Sequence, residues 1–384
     1  MLADRGLFRA LSSEDRRLSH VMVGVLLAGW LAGGCGGSTH QRRATSAAVR
    51  QAQSAVSRAP APLSAYRGPK GGPPLQPRAP VVFVAAGLTD GGIAAVARGV
   101  QQATREIHWP LVILDGAGNV YGQRQALLAA MRLRPGGIIL GGVDAAGERA
   151  VLKQAQARDI PVVGWHSTVQ PGPDRTLGLF TNVTSDPAVV GRLAADYAIA
   201  ASHGTAQVVI FADPENAIET YTAQAMKSEI AQCPGCSVLS VIEVPSANAA
   251  VGLSGVFEAN LLRFGSRWNY MLATDGAYVD GSRAALIGAG RAGDQPPFSI
   301  SAGAGDESEF ERIRANDYQK ATIAEPLNLQ GWQLIDELNR ARAHQPPSGY
   351  VAPPRLITAA DVPSGEAFDP LSGYRQNYLR IWGR

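Results

Sequence analysis

The sequence has little charge, little histidine and little cysteine for its length. Charged residues make up 17% of the 384 positions, and the formal net charge is only +3. Much of the positive charge lies near the amino terminus, which leaves the rest of the chain close to neutral. A neutral body lacks the basic surface that binds nucleic acid, so no nucleic-acid partner is expected. The six histidines disfavour many catalytic sites without excluding one.

Sequence motifs of several enzyme classes are missing as well. There is no nucleophile elbow and no Walker loop. The segment Gly116-Ala117-Gly118 follows a predicted strand, but it lacks the third glycine and the helix start of a dinucleotide-binding fingerprint. The sequence therefore predicts a protein that is not an enzyme and that uses no cofactor.

The three cysteines do not form a metal-binding set. Cys35 lies in an amino-terminal targeting segment, whereas Cys233 and Cys236 form one Cys-Pro-Gly-Cys motif. Such a motif is compatible with thiol exchange or with half of a zinc site. Redox-active pairs usually open a helix, however, whereas this pair ends a predicted helix and no second pair accompanies it. In an exported protein we expect a small structural disulfide, and no metal site is predicted.

The first 35 residues have the features of an export signal. A stretch with several arginines precedes the uncharged apolar run Val21–Leu31, and small residues follow. This order is typical of a secretory signal, and the run is shorter than the ~20 residues that span a bilayer. The segment that ends in Cys35 resembles the lipobox of bacterial lipoproteins, although Ala32 stands where leucine is usual. We expect a protein of the periplasm or cell surface, anchored by a lipid on Cys35; a plain secretory signal is the alternative.

Residues 36–79 are predicted to be a flexible tether. They are rich in Ser, Ala, Arg, Pro and Gly and have almost no large apolar side chains. Such a segment cannot bury enough surface to offset the entropy lost on ordering. Only residues 47–56 suit a transient helix. A tether would let the folded body sample the space above its membrane, and an extension without function is the alternative.

From residue 80 onward, short apolar runs alternate with segments of helical periodicity. Val81–Ala86 and Gly137–Leu140 are two such runs. The alternation restarts after Asn182 and continues to Thr358. Continuous apolar strands between helices predict parallel sheets that are covered on both faces. Two consecutive sets predict an α/β fold of two Rossmann-like lobes with a cleft between them.

Five segments carry recognisable motifs, namely Gly136–Asp144, Ile160–Val163, Thr181–Asp186, Leu272–Leu286 and Ala321–Glu325. In this order they resemble type I periplasmic binding proteins of the ribose and galactose group. The resemblance covers roughly residues 80–362 and depends on the ordered series, since each motif alone is weak. It implies two lobes joined by a three-stranded hinge, with crossings near 180–182, 325–326 and 357–361. It also implies a ligand site in the cleft, which closes around its ligand.

These expectations assign every part of the body to a lobe. Residues 80–180 and 326–357 form the predicted amino-terminal lobe. Residues 181–325 and 358–384 form the predicted carboxyl-terminal lobe and a tail. The tail extends past the usual end of the family, and we expect its aromatic residues Phe368, Tyr374, Tyr378 and Trp382 to pack over a lobe.

Three loops at strand ends supply candidate ligand contacts in the first lobe. The loop with Thr89 and Asp90 opens a helix, where backbone amides favour a polar or anionic group. Asp144 falls at the family's sugar-binding aspartate, and a carboxylate accepts two hydroxyl hydrogen bonds. Trp165 is suited to stack on a ring or hold a cation, and His166 to hydrogen bond or sense pH. The competing local roles are helix capping for the first three residues, a core position for Trp165 and solvation for His166.

The second lobe offers the candidates Asn216, Thr220, Asn248, Asp275, Asp306 and Glu325. Among the second-lobe residues with which the family holds sugars, only Asp275 is retained at its position. The family's arginine would fall close to Thr220, and its glutamine at Glu325. The loss of that arginine and the gain of a carboxylate shift the cleft toward acidity. The expected ligand is therefore a sugar, a polyol or an aminated sugar.

The resemblance also implies the partners of the protein. A monomeric receptor would deliver its small polar ligand to an ABC permease in the inner membrane. The alternative is a sensor that presents its ligand state to a membrane kinase or chemoreceptor, and the sequence does not separate the two. A structural lipoprotein without a ligand is a third possibility.

Overall fold

The computed structural model describes residues 36–59, 65–303, 305–365 and 367–384. The predicted export signal and Cys35 lie outside these residues. Within the described part of the chain, no helix is both long enough and apolar enough to cross a membrane.

The first lobe is built on a six-stranded sheet in which β5 is antiparallel at one edge and the other strands are parallel. Its strands are β1 (Val81–Ala85), β2 (Leu111–Asp115), β3 (Gly137–Gly141), β4 (Val162–Trp165), β5 (Gly172–Asp174) and β6 (Leu179–Val183), in the spatial order β2-β1-β3-β4-β6-β5. The helices between them are α2 (Gly91–Glu106), α3 (Val120–Arg132) and α4 (Arg149–Gln156). Val82 and Val84 face α3 and α4, whereas Phe83 faces α2, so both faces of β1 are buried. This is why the strands read as continuous apolar runs.

The second lobe repeats this plan, with five parallel strands and one antiparallel edge strand. Its strands are β7 (Gln207–Ala212), β8 (Ser237–Glu243), β9 (Tyr270–Ala273), β10 (Phe298–Gly303), β11 (Gln319–Ala324) and β12 (Arg355–Thr358), in the order β12-β11-β10-β9-β7-β8. Its helices are α5 (Pro187–Ala201), α6 (Ala217–Ala231), α7 (Ala249–Phe264), α8 (Ala277–Gly288) and α9 (Glu307–Ala315). The predicted two-lobed α/β fold is confirmed.

The carboxyl-terminal elements are distributed differently from the prediction. Helix α10 (Leu327–Arg342) packs on α2 in the first lobe, as expected, but β12 pairs with β11 of the second sheet. The assignment of residues 326–357 to one lobe was therefore wrong. The tail ends in helix α11 (Tyr374–Trp382), whose aromatic residues join the core of the first lobe. The sequence alone left open which lobe the tail covers.

From β1 onward, the described elements of the two lobes are connected by four crossings, where three were predicted. The first lies at 184–186, the second at 325–326 and the third at 343–354, before β12. A fourth, at 359–373, brings the chain back from β12 to α11 in the first lobe. The predicted crossing near 357–361 coincides with the start of this additional connection.

The prediction of a flexible tether was wrong for residues 36–58, because they form helix α1 (Gly36–Arg58). Ala52 is fully buried in the core of the second lobe, and Val49 and Val56 pack beside it. A Cβ atom on Gly204 would lie 2.6 Å from Thr45 Cγ2, so α1 approaches this turn closely because residue 204 has no side chain. Small side chains allow this docking. A prediction based on the number of large apolar residues therefore does not detect it.

The Cys-Pro-Gly-Cys motif forms the predicted disulfide. The Cα atoms of Cys233 and Cys236 lie 5.2 Å apart, within the usual range for such a bridge. The bridge follows α6 and precedes β8, on the side of the second lobe where α1 docks. It closes a turn next to the surface on which α1 docks and therefore has a structural role.

Candidate functional site

The cleft lies where the strand-end loops of the two lobes face each other. The loop after β1 leads into α2, and the loop after β10 leads into α9. Asp306 Oδ2 of the second lobe would lie only 2.2 Å from a Cβ atom on Gly91 of the first lobe. The lobes therefore touch at this point, and the contact requires glycine at position 91.

Asp90 sits on the first-lobe side of this contact. Its carboxylate caps α2 by accepting a hydrogen bond from Ile93 N at 2.8 Å. The capping role considered from the sequence is thus real. Burial raises the pKa of Asp90, the carboxylate of Asp306 adds to this shift, and His166 opposes it. Asp90 therefore caps its helix and also faces charged groups across the cleft.

Glu219 lies opposite on the second lobe and was not predicted. It accepts hydrogen bonds from Thr274 Oγ1 at 2.6 Å and from Asp213 N at 3.2 Å. Burial, together with the carboxylates of Asp213 and Asp90, raises the pKa of Glu219 to about 8. A glutamate three residues after the helix cap Asn216 is usually a capping residue, so no distinct sequence signal marks Glu219 as a cleft residue.

Asp275 occupies the neighbouring strand end, after β9. It accepts one hydrogen bond, from Ala277 N at 2.7 Å. Burial raises the pKa of Asp275 well above its ordinary value, and the carboxylates of Asp90 and Glu219 add to the shift. Asp90 thus contributes to the pKa shifts of two second-lobe carboxylates, and the contact between Asp306 and Gly91 brings the two loops that carry acidic groups together.

Asp306 and Glu309 complete this acidic surface. Asp306 caps α9 in a capping box with Glu309, which also accepts hydrogen bonds from Ser301 and Gln319. Burial raises the pKa of Glu309, and Asp306 contributes to the shift. Like Glu219, Glu309 was missed because a glutamate at this position of a helix is read as a cap.

A second polar network lies at the hinge and includes Glu325. Glu325 Oε2 accepts hydrogen bonds from Ser185 N at 2.9 Å and Gln330 Nε2 at 2.6 Å. His166 Nε2 lies 3.0 Å from Glu325 Oε1, at ion-pair distance but without the geometry of a good hydrogen bond. Ser185 Oγ in turn donates to Ala352 O at 2.7 Å. Glu325 and Ser185 thus tie the first three crossings together.

Trp165 belongs to the same network. Its ring stacks on His166 with centroids 3.9 Å apart, and its indole Nε1 donates to Gln330 Oε1 at 2.8 Å. The side chain is buried in the first-lobe core, which agrees with the core position considered from the sequence. Both Trp165 and Glu325 therefore have their polar atoms engaged within the protein, while His166 lies between the hinge and the acidic cleft.

The remaining candidates have local roles. Asp144 is exposed and accepts hydrogen bonds from Ala146 N and Gly147 N, both at 3.1 Å. Thr89 and Asn248 are exposed. Asn216 caps α6, and Thr220 Oγ1 donates to Asp213 O at 3.3 Å. The structure thus brings together Asp90, His166, Asp275 and Asp306, and leaves the other candidates at turns, helix ends or the hinge.

A surface groove of about 530 Å³ opens beside these residues. It lies between Val169 of the first lobe and Thr220, Tyr221 and Lys227 of α6. Its lining includes Asp213 but none of the carboxylates that face each other across the lobes. We therefore place the candidate site at the acidic convergence. Within the described residues, no group of three or more His, Cys, Asp or Glu side chains is arranged to hold a metal ion.

A family model for the periplasmic binding protein domain matches residues 81–345. The chain belongs to this family. Periplasmic binding proteins are extracytoplasmic proteins that bind solutes and are not enzymes, which confirms the predicted class of protein. The matched region begins at β1 and ends just after α10, so the family assignment covers both sheets except β12.

Solved structures show the same fold at low sequence identity. A glucose-galactose binding protein from Geobacillus stearothermophilus is 18% identical, covers 75% of this chain and 100% of its own, and has a TM-score of 0.65. A sugar ABC transporter protein from Yersinia enterocolitica subsp. enterocolitica 8081 is 16% identical, covers 81% and 99%, and has a TM-score of 0.66. The XylFII-LytSN complex contains a chain that is 14% identical, with 75% and 100% covered and a TM-score of 0.63. No curated protein sequence matches significantly.

Proposed function

We propose that this binding protein captures a small sugar-like or polyol ligand that carries an amino group and delivers it to an ABC importer. The observation that carries the proposal is the convergence of Asp90 from one lobe with Glu219, Asp275 and Asp306 from the other. Carboxylates forced together in a buried cleft repel one another unless protons or a cation neutralise them. A ligand cation would contact both lobes and thereby favour the closed form.

The sugar-like part of the proposal has separate support. Solved structures with this fold include a glucose-galactose binding protein and a solute-binding protein bound to alpha-D-tagatopyranose. Carboxylates accept hydroxyl hydrogen bonds, so the same side chains suit a polyol. The sensor alternative is supported by the likeness to the XylFII-LytSN complex. We favour import because the other likenesses named here are to solute-binding proteins, among them ABC transporter components.

A matched ligand series tests the ligand class. Glucosamine, glucose and N-acetylglucosamine share one ring, but only glucosamine has a cationic amine. We expect glucosamine to raise the thermal unfolding temperature and the other two to have little effect. Equal stabilisation by all three would support a sugar receptor, but it would contradict the proposal that the ligand carries an amino group. No stabilisation by any sugar, polyol or amine would contradict the receptor itself.

Asp90→Asn provides the matched variant. Asparagine caps a helix about as well as aspartate, so the fold should be retained while one cleft charge is lost. We expect the affinity for glucosamine, measured by calorimetry, to fall by about tenfold or more, which corresponds to about 1.4 kcal/mol. Unchanged affinity would show that Asp90 does not contact the ligand.

The lipid anchor is a further part of the proposal. Acylation of Cys35 would hold the receptor at the membrane, next to its permease. Cys35→Ser should release the protein from the membrane fraction of the producing cells. If the parent protein is already in the soluble fraction, the anchor is wrong, while the ligand proposal is unaffected.

A further inference from the structure

The fourth crossing attaches the tail firmly to the second lobe before it leaves that lobe. Phe368 is buried against Phe310, Ala324 and Ile357 of the second lobe. The guanidinium of Arg355 lies 5.4 Å from the centre of the Phe368 ring. The preceding residue, Ala367, forms a backbone bridge with Asp306. This part of the tail is therefore fixed to the lobe that carries β12.

The very next residue is fixed to the first lobe. Asp369 accepts hydrogen bonds from Tyr374 Oη at 2.8 Å and from Arg375 Nη2 at 2.7 Å. Arg375 Nη2 also donates to Gln102 Oε1 of α2 at 3.1 Å. Tyr374 is buried in the first-lobe core beside Trp332 of α10. Asp369 is thus linked to α2 and α10 through two side chains.

The end of the tail is held even more strongly. Trp382 stacks on Trp332 with ring centres 5.8 Å apart, and its indole Nε1 donates to Asp336 at 2.8 Å. The chain that enters β1 packs over it, since Leu75 N donates to Trp382 O at 3.1 Å. Tyr66 of the same chain contacts the ring of Tyr378. Helix α11 is therefore held between α10 and the segment that precedes β1.

One peptide unit thus separates an attachment on the second lobe from an attachment on the first. Consecutive Cα atoms are about 3.8 Å apart, so the link has no slack. The link also lies beside the cleft, because Ala367 pairs with Asp306, whose side chain touches Gly91 across the lobes. A rotation that opens the cleft at this contact moves the two attachments apart.

We propose that the carboxyl-terminal tail is a strap that limits how far the two lobes open, through the taut connection between Phe368 and Asp369. The proposal does not depend on the identity of the ligand. A limited opening would keep the unliganded receptor near its closed form and reduce the conformational change that ligand binding must drive.

Lengthening the link tests the strap without removing any contact. A Gly-Ser-Gly-Ser insertion between Phe368 and Asp369 adds reach of up to roughly 13 Å. The matched control carries the same insertion between Leu371 and Ser372, within the stretch already bound to the first lobe; Leu371 is 95% exposed. Spin labels on p-acetylphenylalanine at Val120 and Tyr221, both exposed and on different lobes, report the interlobe distance by pulsed electron paramagnetic resonance.

We expect the first insertion to lengthen and broaden the interlobe distance distribution by several ångströms, and the control to match the parent. Phe368→Ala releases the second-lobe attachment directly and should have the same effect. Circular dichroism identifies the variants that fold, and Phe368→Ala decides the question if the insertion does not. A folded variant of either kind with the parental distribution would overturn the proposal, even if its unfolding temperature were lower.

Discussion

Two regions of this protein, the cleft and the hinge, contain buried carboxylates that behave in opposite ways. In the hinge, Glu325 is only 3% exposed and burial alone would raise its pKa, yet the nearby His166 and the hydrogen bonds that it accepts lower it. In the cleft, burial and neighbouring acids raise the pKa of Asp90, Glu219 and Asp275. The same chemical group is stabilised as an anion in one place and destabilised in the other.

The difference follows from the partners that the fold supplies. Glu325 meets donors from the first crossing and from α10 and lies beside His166 of the first lobe, so its charge is satisfied within the protein. The cleft acids receive mainly local backbone or hydroxyl hydrogen bonds and face other acids. A buried charge without sufficient partners is costly, so the cleft is the region that gains most from an external cation. The hinge needs no such partner.

Removing the hinge carboxylate should have the largest effect on stability. Glu325→Ala leaves His166, Gln330 and the Ser185 amide without their buried acceptor, and the free energy of unfolding should fall by about 3 kcal/mol. Chemical denaturation at pH 7 measures this change. Because the pKa of Glu325 is lowered in the fold, its contribution is present above the ordinary value of 4.5 and is lost as the pH falls below it.

The exposed Glu243→Ala serves as the control, and we expect a change within about 0.5 kcal/mol. If Glu325→Ala lost less than about 1 kcal/mol, the hinge network would not have the central role assigned here. A destabilisation that stayed constant down to the acid limit would likewise contradict the ionised state of Glu325.

Neutralising a cleft acid should change the stability less than Glu325→Ala does, and it should raise the stability rather than lower it. The pKa of Glu219 rises from 4.5 to about 8 on folding, so the folded state binds more protons and stability decreases as the pH rises between these values. Glu219→Gln should be more stable than the parent at pH 8 by roughly 1–2 kcal/mol. Unfolding measured from pH 5 to pH 8 should show a shallower decline for the variant.

The pKa values of Asp275 and Asp90 are also raised, so the decrease in stability with rising pH should become shallower in Glu219→Gln but should not disappear. Equal slopes for the parent and Glu219→Gln would show that Glu219 is not the group responsible. The comparison with Glu325→Ala is the sharper test, because the two variants should change the pH dependence in opposite directions.

The sequence predicted the parts of the fold that depend on local patterns. Buried parallel strands read as continuous apolar runs, so β1 and β3 were located from residues within each strand. The short spacing between Cys233 and Cys236 sufficed for the disulfide. Each of these features is determined by residues that are near one another in the chain.

Features that depend on distant partners were missed. Helix α1 has few large apolar side chains and is stabilised by docking on the second lobe, which no local pattern reveals. The family resemblance placed Glu325 in the cleft, and no local pattern indicates its partner Ser185, which lies 140 positions away in the sequence. The edge strand β12 belongs to the second sheet through pairing with β11, although the chain before it runs along the first lobe.

The smallest effect is expected from a substitution of Asp144, a residue for which the family resemblance and the structure indicate different roles. The resemblance places a sugar-binding aspartate here, whereas the structure shows an exposed carboxylate that holds a turn through Ala146 N and Gly147 N. Asp144→Asn keeps an acceptor for this turn, so stability should change by less than about 0.5 kcal/mol. Calorimetry with glucosamine should give the same affinity for the variant and the parent, whereas Asp90→Asn should weaken binding. If Asp144→Asn weakened binding as strongly, the ligand site would extend to the loop after β3, and the contrast between the acidic cleft and its surroundings would have to be redrawn.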